Sequence, residues 1–227
     1  MSIPILCRNL LVLLATIYPV SLPQIAANFT KKSTGKNSQE IYLASSVFIS
    51  VFLLLLSWAL IQQPDFVTLP SSYIWFFLAV AAAPLLIILE YIVGAILLVA
   101  KRIRASGLAV NANWTRLSKA GCIFTILLAI VEELIYRQLW SVIILDNLGL
   151  HVAGFILISS FVYGFNHLYY GFSTFLQKAV SGVILSLLYL LSGRSILIPL
   201  VAHSLQNVVI LLMGEVQIKR TEQYGLG

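Results

Sequence analysis

The sequence predicts an all-α membrane protein, a polytopic bundle of about seven transmembrane helices. Of its 227 residues, 60% are hydrophobic and only 10% are charged, whereas about a quarter of a soluble domain is charged. The apolar residues form long runs separated by short polar loops, and about 20 apolar residues can cross a bilayer as a helix. A mean hydropathy of +0.98 fits one membrane domain with little else attached.

Seven segments are candidate spans. They are Ile3–Ala27, Ile41–Ile61, Tyr73–Ala100, Cys122–Leu145, Val152–His167, Phe172–Leu191 and Ile196–Met213. The fifth is short and could be tilted or re-entrant. Pro19 and Pro23 interrupt the first, which could instead be a cleaved signal peptide, although we favour a retained span.

Loop charges predict the orientation. Ten of the 14 basic residues fall in alternate loops and the tail: Lys31, Lys32, Lys36, Lys101, Arg102, Arg104, Arg116, Lys119, Lys219 and Arg220. The intervening loops hold Asp65, Asp146 and Arg194. Basic loops stay in the cytoplasm, so we expect a cytoplasmic C-terminus and an outer N-terminus, in a bacterial-type plasma membrane. The net charge of +6 therefore sets topology and does not indicate nucleic-acid binding.

The two cysteines, Cys7 and Cys122, have no CxxC or Cys/His spacing. A disulfide framework is not expected, and cysteine-based metal binding has no support. Both are expected to be packing residues.

Three polar clusters interrupt the apolar spans. The first is Glu132-Glu133-Leu-Ile-Tyr-Arg137, the second ends in Asn166-His167, and the third runs from His203 to Asn207. Ionisable groups inside a bilayer are costly and usually have a partner or a function. Because three separate spans carry such groups, we expect them to share one site.

Spacing suggests different environments for the two glutamates. Glu133 lies four residues before Arg137, the favourable order for a helical ion pair. Glu132 is about 100° further round the helix and can face a cavity while Arg137 holds Glu133. Two adjacent carboxylates in different environments suit one base and one structural acid.

His203 and Asn207 are also four apart, so both can donate hydrogen bonds towards one point, as an oxyanion requires. Gly164 could allow a neighbouring helix or a substrate to approach closely, and His167 could share a water with Glu132. Each group also has a structural alternative, because an ion pair can staple helices and His203 with Asn207 can bond neighbouring spans. Glu90 is expected near the cytoplasmic interface, beside Lys101 and Arg102.

The ordered motifs Glu-Glu-x-x-x-Arg, aromatic-x-x-x-His and His-x-x-x-Asn resemble those of the CPBP family, also called Abi. It includes type 2 CAAX prenyl endopeptidases and bacteriocin-processing or self-immunity proteins. The resemblance spans about Cys122 to Met213. It implies a CPBP-like catalytic helical core over residues 119–227 with a short cytoplasmic tail, preceded by N-terminal transmembrane helices and a basic cytoplasmic loop over residues 1–118.

The resemblance also implies roles for the matched residues. Glu132 would activate the attacking water with His167 as its partner, and Glu133 with Arg137 would support the site. The oxyanion hole would be formed by His203 and Asn207. The family usually has Phe where this chain has Tyr163, which keeps the ring and adds a hydroxyl, and we expect Tyr163 to contact substrate.

Two histidines and a glutamate could also hold zinc, but the His-Glu-x-x-His spacing is absent. The resemblance favours a glutamate-activated water, so we expect no cofactor. The sequence therefore predicts an intramembrane endopeptidase acting on a peptide or a lipidated protein, with membrane lipid as its other partner and no nucleic acid. The alternatives are a non-catalytic bacteriocin-immunity or scaffold protein and a proton-linked transporter.

Overall fold

The computed structural model describes residues 2–34, 38–61, 68–100 and 117–223, and these contain helices and no strand. The predicted all-α fold is confirmed. The α-helices are α1 (Ile3–Ile17), α2 (Ser21–Thr34), α3 (Ser38–Ile61), α4 (Ile74–Ala100), α5 (Lys119–Glu133), α6 (Val152–Phe165), α7 (Phe172–Leu191) and α8 (Leu197–Gln223).

Five helical segments are long and apolar enough to cross a membrane among the residues described. They are Ile3–Ile25, Gln39–Ile61, Ile74–Ala100, Phe172–Leu191 and Leu197–Val216. Together with the apolar composition, they make the chain a multi-pass integral membrane protein, roughly consistent with the seven spans predicted.

The first predicted span contains a break. Helix α1 ends at Ile17 and α2 begins at Ser21, with Tyr18 in a non-helical conformation. Pro19 follows it, and a proline disfavours helical geometry in the preceding residue.

The fourth and fifth predicted spans differ from regular transmembrane helices. After Glu133, α5 continues through π-helical turns at Leu134–Leu139 and Val142–Asn147; such turns often occur at functional sites. Helix α6 has 14 residues, a length of about 21 Å, against a hydrocarbon core of about 30 Å. Asn166 and His167 follow directly in the turn after this short helix.

Three loops meet at one end of the bundle. Arg194 donates to both carboxylate oxygens of Asp146, at 2.9 and 2.7 Å. The hydroxyl of Thr68 donates to the Arg194 carbonyl at 2.9 Å, and the Ser71 amide donates to the Ser192 carbonyl at 3.0 Å. These hydrogen bonds to Asp146 raise the pKa of the Arg194 guanidinium, so Arg194 keeps its charge.

These contacts agree with the alternation of spans predicted from loop charge, which assigns the three loops to one side. Asp65 and the basic 101–116 segment lie outside the described residues. At the opposite end, Glu40 at the start of α3 accepts a hydrogen bond from the Ser118 amide at 2.8 Å. We call this the basic-loop end of the bundle.

Two glycines let α6 and α7 pack backbone to backbone. A Cβ added to Gly164 would lie 2.7 Å from the Phe175 carbonyl oxygen and 2.8 Å from the Ala179 nitrogen. A Cβ added to Gly182 would lie 3.0 Å from Ser160. The close approach that the sequence suggested for Gly164 is therefore made by a neighbouring helix.

We predict that Gly164→Ala destabilises the protein by roughly 1–3 kcal/mol, since the new methyl group overpacks the interface against fixed backbone. Thermal unfolding of the detergent-solubilised protein measures the loss. Gly154→Ala is the matched control on the same helix, because a Cβ there meets nothing within 4 Å. Equal melting temperatures for the two variants would contradict this packing.

Candidate active site

A buried carboxylate links α5, its π-helical extension and α8. One oxygen of Glu133, Oε1, lies 2.8 Å from His203 Nδ1, and Oε2 lies 3.2 Å from Arg137 Nε. The side chains of Glu133 and Arg137 are 0% exposed. The ion pair expected from the i, i+4 spacing is present, although these two atoms do not form a hydrogen bond.

Arg137 extends this cluster to α6 and α7. Its Nη2 donates to the Gly182 carbonyl at 3.2 Å, and its guanidinium carbon lies 4.7 Å from the centre of the Tyr163 ring. A cation over an aromatic ring is attracted by the electron-rich face. One buried guanidinium therefore joins the two helices that the glycines bring together.

Tyr163 completes the surroundings of His203. Its hydroxyl lies 3.2 Å from His203 Nε2, and the side chain is fully buried. An ionised Glu133 can only accept hydrogen bonds, so Nδ1 of His203 carries a hydrogen. Tyr163 therefore contacts the His203 ring through its hydroxyl. This position favours a role in supporting His203 over the contact with substrate that we expected.

The tautomer of His167 follows from its neighbour. Nδ1 lies 3.0 Å from the Tyr163 backbone carbonyl, which can only accept, so Nδ1 is the donor. The other nitrogen, Nε2, is then the basic atom of the neutral ring. His167 also lines the cavity described next.

A cavity of about 270 Å³ lies beside this cluster, and Glu132, His167, His203 and Asn207 are all on its wall. Sequence reasoning expected these groups to meet, and the structure brings them together. Glu132 is 7% exposed. Within the described residues, no hydrogen bond to its carboxylate is present, in contrast to the neighbouring Glu133.

Asn166, the remaining polar residue of the second cluster, binds backbone carbonyls of two helices. Its amide donates to the Ile17 and Val162 carbonyls, both at 2.8 Å. The end of α1 is thereby tied to the end of α6, close to His167.

Glu90 is a polar residue whose place on the cavity wall the sequence did not predict. It also lines the cavity, and its carboxylate pairs with Lys178 at 2.8 Å. The expected neighbours, Lys101 and Arg102, lie outside the described residues. An intramembrane lysine in the sixth predicted span was the available signal, since an acid at this depth needs a partner.

Over the residues that the structure describes, no three His, Cys, Asp or Glu side chains are grouped to hold a metal ion. Metal independence stays a prediction.

We predict that Tyr163→Phe changes stability little, by about 1 kcal/mol for one hydrogen bond, whereas Tyr163→Leu costs more because Arg137 loses the ring beneath it. Thermal unfolding of the two variants provides the comparison. If Tyr163→Leu is as stable as Tyr163→Phe, the ring does not hold the guanidinium.

Comparison with known proteins bears on the same segment. Residues 115–209 match the family model for Rce1-like type II CAAX prenyl endopeptidases. No curated protein and no solved structure matches the chain. The matched segment begins just before α5 and includes Glu132, Glu133, Arg137, His167, His203 and Asn207. Over this segment, the match agrees with the resemblance to the CPBP family that the three motifs carry.

Proposed function

We propose that this protein is a membrane-embedded endopeptidase that hydrolyses a peptide bond with a water activated by Glu132. The family match supports a protease. The observation that carries the mechanism is the contrast between two adjacent glutamates: Arg137 and His203 occupy the carboxylate of Glu133, while Glu132 is on the cavity wall without such partners.

The attacking water would be bound by Glu132 and His167. The carboxylate accepts one of its hydrogens, and Nε2 of His167, unprotonated when Nδ1 donates to the Tyr163 carbonyl, accepts the other. An oxygen lone pair is then left to attack the substrate carbonyl. Binding both hydrogens fixes the direction of attack, which lowers the entropic part of the barrier.

The oxyanion would be stabilised by the side-chain amide of Asn207, a residue that lines the same cavity. His203 can join it only as an imidazolium, with Nδ1–H on Glu133 and Nε2–H shared between the Tyr163 hydroxyl and the oxyanion. Donors aimed at developing negative charge commonly contribute 10²–10³ in rate.

The proton balance is closed by Glu132. It removes a proton from water as the oxygen bonds to the carbonyl carbon, and the C–O double bond becomes an oxyanion. It then returns that proton to the amine nitrogen as the C–N bond breaks. Products are one carboxylic acid and one amine, with no other reactant consumed.

The cavity suits an apolar substrate. Much of its wall is hydrophobic, with contributions from Leu43, Ile87, Leu128, Ile210 and Leu211. Leu43 is near the start of α3, so the cavity lies in the half of the bundle nearer the basic-loop end, the proposed cytoplasmic side. Hydrophobic or lipidated peptide tails reaching the membrane from the cytoplasm are the substrate class that we propose.

We predict that Glu132→Gln lowers cleavage at least about 100-fold, because general-base catalysis contributes 10²–10⁴, while the protein still folds. The assay uses purified protein in liposomes with quenched-fluorescence peptides carrying a prenylated cysteine near the C-terminus, alongside unprenylated and hydrophobic leader peptides. Glu215→Gln, an exposed carboxylate on α8, is the matched control and should cleave normally.

Cleavage at the wild-type rate by Glu132→Gln would refute the mechanism. Binding of the peptides without cleavage by the wild type would favour the scaffold or immunity alternative, and proton flux into the same liposomes would favour a transporter. Chelation by EDTA or 1,10-phenanthroline should leave the rate unchanged if no metal takes part.

The proposed orientation predicts opposite labelling of two exposed positions. In a Cys7→Ala, Cys122→Ala background, Leu150→Cys lies before α6 at the outer end and Lys119→Cys lies at the basic-loop end. A membrane-impermeant maleimide applied to intact cells should label the first, and the second only after permeabilisation. The reverse labelling pattern would mean that the orientation in the membrane is opposite to the one proposed.

A further inference from the structure

Glu90 is a cavity residue that the proposed mechanism does not use. It lies within α4, outside the family match of residues 115–209, and its side chain is only 14% exposed. A carboxylate at this depth is retained only when donors compensate for its lost hydration.

Three donors meet at one oxygen of this carboxylate. Glu90 Oε1 accepts from Lys178 Nζ at 2.8 Å, from Ser181 Oγ at 2.8 Å and from Gln206 Nε2 at 2.9 Å. The backbone carbonyl of Glu90 accepts a fourth hydrogen bond, from Gln177 Nε2 at 2.8 Å. A single residue of α4 therefore bonds to both α7 and α8.

The bond to Gln206 matters because of the next residue. Gln206 is 0% exposed, and its other amide atom, Oε1, has no hydrogen-bond partner in the described part of the chain. Consecutive residues on a helix differ by a fixed 100°. Holding Gln206 against Glu90 consequently sets the direction in which Asn207 leaves the helix towards the cavity.

Helix α8 is also held one turn earlier. His203 is bound to Glu133 at 2.8 Å, so two carboxylates from different helices fix α8 on either side of the same turn. Neither contact can replace the other. If only His203–Glu133 or only Gln206–Glu90 remained, α8 could still rotate about that contact and displace Asn207.

We propose that Glu90 is a positioning residue, which acts through Gln206 to orient Asn207 for contact with the oxyanion. This inference rests on the proposed function. A misplacement of about 1 Å can cost 10²-fold in rate, so the effect should fall on kcat, with KM nearly unchanged.

The test is a kinetic double-mutant cycle with the liposome-reconstituted protein and its best peptide substrate. Glu90→Gln should lower kcat about 10- to 100-fold with less than about a threefold change in KM. In an Asn207→Ala background the same substitution should cost less than about threefold, because no side chain is left to orient. Gln206→Met, which leaves Lys178 and Ser181 on Glu90, should reproduce the loss of kcat.

The matched control is Glu40→Gln, which removes the charge of another carboxylate between helices but does not line the cavity. Glu40→Gln should lower the melting temperature. Any change that it causes in kcat should be the same in the wild-type and in the Asn207→Ala background. Equal kcat losses for Glu90→Gln in both backgrounds, a change in KM alone, or wild-type kinetics for Gln206→Met would overturn the positioning role. Wild-type cleavage by Glu132→Gln would instead overturn the proposed function.

Discussion

The site depends on one buried ionic interaction, in which Arg137 and His203 hold the carboxylate of Glu133. Glu133 and Arg137 are fully buried and His203 is nearly so, so each needs the others to offset its lost hydration. Removing one partner from such a cluster typically costs 3–5 kcal/mol, because an uncompensated charge is left in the interior. The interaction therefore fixes the π-helical extension of α5 against α8, and through Arg137 it reaches α6 and α7.

This constraint gives two neighbouring carboxylates different chemistry. The carboxylate of Glu133 is occupied by Arg137 and His203. Glu132, one residue earlier on the helix, lines the cavity. The same arrangement fixes His203. The orientation of His167 is set separately by the Tyr163 carbonyl, which binds Nδ1 and leaves Nε2 as the basic nitrogen. On the proposed mechanism, the polar network supplies rigidity while Glu132, His167 and Asn207 contact water and substrate.

Much of the site could be predicted because polar and charged residues are conspicuous within apolar membrane spans. The pairing of Glu133 with Arg137 follows from spacing alone, and the meeting of three polar spans follows from the cost of burying charge. The break at Tyr18 follows from the local sequence, because Pro19 disfavours helical geometry in the residue before it. The π-helical turns and the partners of Tyr163 were not predictable, since they arise from packing between distant segments. The partners of Glu90, Lys178 and Gln206, were not predicted because they are separated from it by 88 and 116 positions.

The most direct test is a pair of stability double-mutant cycles on adjacent glutamates, measured by reversible unfolding in mixed micelles. Combining Glu133→Gln with Arg137→Met should give a coupling energy of about 2–3 kcal/mol. Combining Glu132→Gln with the same Arg137→Met should give a coupling energy close to zero. Equal couplings, or a larger one for Glu132, would mean that the two carboxylates do not have the separate roles on which this account rests.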